Sequence, residues 1–97
     1  MDNLKDDEID IDALFFIKTI KRITPKLLEK EGISSINESI TLVNDLSNQW
    51  YSYVIQVNAT SEESNQLNSG FAEYFESKNL ARLEGSNKVI FRFESTV

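Results

Sequence analysis

The chain has 97 residues, 40% of them apolar, with 16 acidic and 10 basic side chains for a net charge of −6. That length supports one core, and the apolar content argues against a wholly disordered chain. No apolar run approaches the ~20 residues of a membrane span. Histidine and cysteine are both absent, which removes disulfides, thiol chemistry, most zinc sites and the imidazole base of a serine triad.

The charge is unevenly spread. Residues 1–12 hold Asp2, Asp6, Asp7, Glu8, Asp10 and Asp12 against Lys5, whereas residues 13–30 hold Lys18, Lys21, Arg22, Lys26 and Lys30 against Glu29. Half of the basic side chains therefore lie in one short stretch with acidic sequence on both sides. The acidic start is read as neither a signal nor a transit peptide. A soluble, cytoplasmic protein is expected.

Residues 1–9 are read as a flexible acidic tail and 10–97 as one α+β domain. A helix is predicted over 12–31, because Ala13, Phe16, Ile17, Ile20, Ile23 and Leu27 recur at three- and four-residue steps. Asp10 and Asp12 suit the positive end of its dipole. Pro25 either kinks this helix or ends it, with Thr24 then capping a second one. Gly32 fits the C-cap. Residues 34–48 fit two patterns: a helix with Ser35 and Glu38 as a capping box, or a strand over about 39–44 turning at 44–48 into a hairpin. The mediocre helix formers there favour the hairpin.

Residues 50–58 form the clearest strand, with Tyr51, Tyr53, Ile55 and Val57 on one face. Thr60 and Glu63 make a capping box for a helix whose apolar face is Leu67, Phe71, Tyr74 and Phe75, ending near Lys78 and Asn79. Val89, Phe91 and Phe93 alternate in a last strand. Leu80–Glu84 is either a hairpin arm turning at residues 85–87 or the ragged end of the helix. The fold class is α+β, with helices on one face of a small sheet and the other face wet.

Two short stretches resemble known families. Residues 73–94, a helix followed by Leu80-Ala81-Arg82-Leu83-Glu84-Gly85-Ser86-Asn87 and a strand, resemble the end of a winged helix-turn-helix, which would imply DNA binding. Glu62, Glu63, Glu73 and Glu76 against Lys78 would repel phosphates there. Asp7-Glu8-Ile9-Asp10-Ile11 before an apolar helix is similar to the cytoplasmic start of bacterial polysaccharide chain-length regulators. The membrane span that should follow is missing, so no function is carried over.

Several side-chain groups invite a functional reading. The acidic run from Asp6 to Asp12 offers oxygen ligands for calcium or magnesium, but it lacks the glycine and distal glutamate of an EF-hand loop. No metal or cofactor is expected. Trp50, Tyr51, Tyr53, Phe91 and Phe93 suit a stacking platform, although alternation assigns most of them to the core. Trp50, at a strand start, is the one expected to be partly exposed.

Lys18, Arg22, Lys26 and Lys30 are four residues apart and line up along one edge of an unbroken helix, with Lys21 beside them. Exposed helix edges are ordinarily charged, yet a basic amphipathic helix also suits a protein groove, a membrane surface or nucleic acid. No Walker A, GxSxG or GxGxxG motif occurs. The expected function is non-catalytic: a small acidic regulator, adaptor or inhibitor of the immunity type. It would bind another protein through Phe15 and Phe16 as apolar anchors, Lys18, Lys21, Arg22 and Lys26 as rim charges, and Trp50. The alternatives are a homo-oligomeric subunit built on the same helix, and a nucleic-acid-binding regulator using the basic stripe.

Overall fold

The hydrophobic spacing of residues 13–28 produces one long helix, not two. The computed structural model describes residues 3–96; Asp2, counted above with the acidic start, lies outside them. Helix α1 spans Ile11–Glu31 with Pro25 inside it. A proline in a helix interior costs about 3 kcal/mol through its lost hydrogen bond and its clash with the preceding turn. Packing beyond it holds the last turns in place. Leu28 is buried and Ile33 packs against the core. Gly32 adopts φ +66°, while the Gly32 and Ile33 N–H groups donate to the Glu29 and Leu28 carbonyls at 3.1 and 3.0 Å. This is a Schellman ending, which satisfies carbonyls that the helix itself cannot. Thr24 is an interior residue of α1 and caps nothing.

The hairpin reading of 34–48 holds. Strand β1 spans Ser35–Asp45 and pairs antiparallel with β2, Asn48–Val57. Leu46 and Ser47 form the turn, and Leu46 takes φ +54°, a sign common in tight hairpin turns. Helix α2, Ser61–Ser77, starts at the expected capping box: the Glu63 N–H donates to Thr60 Oγ1 (3.2 Å) and the Thr60 N–H to Glu63 Oε1 (3.0 Å). Strand β3, Val89–Ser95, lies parallel to β2 and gives the order β1-β2-β3. A parallel neighbour requires a crossover, and α2 supplies it. Leu80–Glu84 is therefore no hairpin arm. Leu80–Arg82 and Ser86–Lys88 are short 3-10 turns, so among the described residues β3 alone follows α2, where a winged ending would need a second strand.

Both helices pack on the sheet face that carries Ile40, Tyr53, Ile55, Val57, Val89 and Phe93, all buried together with Ala13, Phe16, Ile17, Ile20 and Leu67. Ring contacts run unbroken through this core: Tyr53–Phe91 at 5.2 Å, Phe91–Phe71 at 4.7 Å, Phe71–Phe75 at 6.1 Å and Phe75–Phe16 at 6.1 Å. Edge-on and tilted rings at these distances attract beyond their area burial. Register puts Val43 opposite Trp50, and Ser52 opposite Ile90, on the other face.

Polar side chains close parts of both sheet edges. Asn68 on α2 donates to the Phe93 carbonyl (3.0 Å) and accepts from the Phe93 N–H (2.8 Å). On the β1 edge the Ile40 N–H donates to Asn3 Oδ1 and the Leu4 N–H to the Ile40 carbonyl, both at 2.9 Å. Such covers keep an edge from templating another strand. They also engage Asn3 and Leu4, within the stretch read from sequence as a flexible tail. Asp6–Glu8 is a 3-10 turn and Ile9 is buried in the core.

Candidate functional site

Because α1 is unbroken, its inward face is filled by Ala13, Phe16, Ile17, Ile20, Thr24 and Leu28, and the opposite ridge is left to solvent. Ile11 is 77% and Phe15 56% exposed at its N-terminal end. Lys18, Arg22, Lys26 and Lys30 are all exposed and continue along it. Phe15, Lys18, Lys21 and Arg22 surround one shallow depression of about 420 Å³. An apolar ring thus sits among cations on a molecule that is negative overall.

The expected residues divide into three groups. Phe15, Lys18, Lys21 and Arg22 come together, with Lys26 one turn further along. Phe16 is a correction: it is 2% exposed and stacks edge-on against Phe75, so it belongs to the core and offers nothing to a partner. Trp50 is half-buried on the sheet face opposite the helices and lies outside the helix surface. Of the aromatic platform, Tyr53 and Phe93 are buried and Phe91 packs against the core.

Among the described residues, Lys18, Lys26 and Lys30 make no ion pair, and Arg22 donates only to Thr19 Oγ1 (3.3 Å). Lys21 differs. Its Nζ lies 3.3 Å from Glu38 Oε1 on β1, and Tyr53 donates its hydroxyl to Glu38 Oε2 at 3.0 Å. A buried tyrosine must find a partner for its hydroxyl, so Glu38 is fixed by the core as much as by Lys21. Burial, then the Glu38 charge and hydrogen bond, push the Tyr53 phenol well above its ordinary range.

The acidic start is also engaged. Lys88, at the foot of β3, pairs with both Asp10 and Asp12, and the Asp10 N–H donates to the Tyr51 hydroxyl at 2.9 Å. The hydrogen bond from Lys88 holds the Asp10 carboxyl below the usual carboxylate range, and the same bond raises the Lys88 ammonium. Asp10 and Asp12 thus act as a clasp on β3. Nothing in the sequence links Lys88 to a partner 78 residues away.

Among the described residues no helix is long and apolar enough to cross a membrane. No protein-family model matches the chain, and neither curated proteins nor solved structures show a significant similarity to it.

Proposed function

We propose that the protein is a non-catalytic binding module, a regulator, adaptor or inhibitor, whose α1 ridge docks on an acidic surface of another protein. The observation that carries this is Phe15, exposed among Lys18, Lys21 and Arg22 on a molecule of net charge −6. Burying the rest of Phe15 would contribute about 1–2 kcal/mol at ~25 cal/mol per Å². The cations would set orientation and on-rate, and an aromatic anchor inside a charged rim is how most binding energy is concentrated. A cytoplasmic location belongs to the same proposal.

Self-association through the same ridge is less favoured. A two-fold axis brings a patch onto its own copy, which would set Lys18 and Arg22 against like charges. Nucleic acid is disfavoured by the acidic sequence on either side of α1. The test is affinity capture with the wild type and with Lys18→Glu/Arg22→Glu, both checked for folding by circular dichroism. An acidic protein retained by the first and lost by the second supports the proposal. The same proteins retained by both would remove this surface from consideration.

A further inference from the structure

A second concavity lies between the later half of α1 and β1, bounded by Lys21, Thr24, Pro25, Ile36, Glu38 and Tyr53 among others, with a volume of about 480 Å³. That is within the ~300–1,000 Å³ of small-ligand sites. Three features of its polar lining are unusual together. Thr24 is 96% buried, since only 4% of it is exposed, yet its hydroxyl makes no hydrogen bond within the described residues. No fully enclosed side-chain oxygen lacks a partner, so the Thr24 hydroxyl opens onto the groove that Thr24 lines. Pro25 has no N–H, which deprives the Lys21 carbonyl of its helical donor at the same wall. Glu38 presents a carboxylate whose two oxygens take one hydrogen bond from Tyr53 and one contact from Lys21, leaving acceptor capacity unused.

The Thr24 hydroxyl is left open to the groove, and the helix-interior proline leaves the Lys21 carbonyl without its helical donor. Both sit on the same wall of the same groove. Ser35 and Asn37 at the rim can donate or accept, and three acceptors lie beside them: the Lys21 carbonyl, the Thr24 hydroxyl and the Glu38 carboxylate. The sole cation, Lys21, already lies on Glu38. The rest of the lining includes Pro25, Leu28, Ile36 and Ile55, an apolar surface suited to a hydrocarbon chain.

The geometry points to a binding site for a primary ammonium group on an apolar chain. Its three N–H donors match those three acceptors, and its methylenes lie on Ile36, Pro25 and Leu28. Lys21 then competes for Glu38. A small free amine and the side chain of a lysine share this chemistry. Lys21 borders both this groove and the docking depression, whereas Thr24, Ile36 and Glu38 border the groove and not the depression.

The experiment is a titration of isotope-labelled full-length protein, followed by amide chemical shifts, with n-hexylammonium, hexanoate or hexanol. Saturable shifts confined to residues around Thr24, Ile36 and Glu38, produced by the ammonium alone, are expected. Glu38→Gln should weaken binding at least about tenfold, as a charge-assisted hydrogen bond is lost, and Thr24→Val about threefold. Lys21→Met, which removes the competing ammonium, should strengthen it. Thr24→Val should leave the thermal midpoint unchanged or raised, because its hydroxyl has no partner in the protein. A parallel arm with Nα-acetyl-lysine-N-methylamide assigns the source: tighter binding of that probe indicates a lysine side chain, and tighter binding of hexylammonium indicates a free amine. Equal responses to hexanoate or hexanol, shifts outside the groove, or weaker binding by Lys21→Met would overturn the assignment.

Discussion

Replacing Gly85 by alanine should do more damage than the same change at either of the other two glycines. Gly85 sits between the two 3-10 turns at φ +85°, and its Cα faces the first turn of α1. A Cβ there would lie 2.0 Å from the Asp12 carbonyl oxygen, 2.4 Å from the Asp12 carbonyl carbon and 2.9 Å from the Ala13 nitrogen. These are backbone atoms and cannot rotate away. The left-handed backbone alone costs a non-glycine residue about 1–2 kcal/mol. Forcing the two segments apart adds about 1–3 kcal/mol, as overpacking does elsewhere, and strains the nearby Lys88 clasp on Asp10 and Asp12. The expected loss is about 2–5 kcal/mol, from a total of about 5–15 for a domain of this size.

Two further glycines provide controls. Gly32, at φ +66° with nothing within 4 Å of a new Cβ, should lose only the conformational part, about 1–2 kcal/mol. Gly70, inside α2 with open space around it, should gain about 0.5–1 kcal/mol from better helix propensity. Urea unfolding of the three variants gives the order. The packing argument fails if Gly85→Ala is no less stable than Gly32→Ala.

The neighbouring phenylalanines should separate cleanly in the same assay. Phe16→Ala removes a buried ring and should cost about 3–5 kcal/mol, whereas Phe15→Ala should fall within about 0.5 kcal/mol of wild type; comparable losses would contradict the placement of Phe16 in the core and Phe15 outside it. The Lys88 clasp predicts a pH signature. The lowered Asp10 carboxyl gives stability that is present above the unfolded value of about 3.9 and lost as pH falls through the folded one. The raised Lys88 ammonium gives stability that is present below about 10.4 and lost as pH rises through its folded value. The difference in urea midpoint between wild type and Lys88→Met should therefore persist from about pH 5 to 9 and shrink at both ends. A difference independent of pH would show that the clasp contributes nothing electrostatic.

Local physics made much of this fold legible in the residues. The three- and four-residue spacing of Ala13, Phe16, Ile17 and Ile20, the Thr60–Glu63 box and the alternation of Tyr51, Tyr53, Ile55 and Val57 each act within a few positions. So did the choice of a hairpin for 34–48, where Asn, Ser, Thr, Ile and Val outweighed a helical spacing. What escaped depends on distant partners. Pro25 stays inside α1 because Leu28 and Ile33 find a core beyond it. Phe16, also offered as a partner anchor, follows the apolar face that its own spacing marks and packs against Phe75. Gly85 and Lys88 matter only because the turns before β3 close on the first turn of α1. The Lys21–Glu38–Tyr53 group joins a helix to a hairpin whose register no spacing rule fixes. A buried Tyr53 did demand some acceptor, and that was its one visible trace.

The reading of α1 as a docking ridge is tested most directly by calorimetry with the captured acidic partner, titrated into wild type, Phe15→Ala and Lys18→Glu/Arg22→Glu at low and high salt. Phe15→Ala should weaken binding about tenfold, the double charge reversal should weaken it further, and added salt should weaken the wild type toward the level of the reversed variant. Affinities that stay the same across all three proteins and both salt conditions would contradict it.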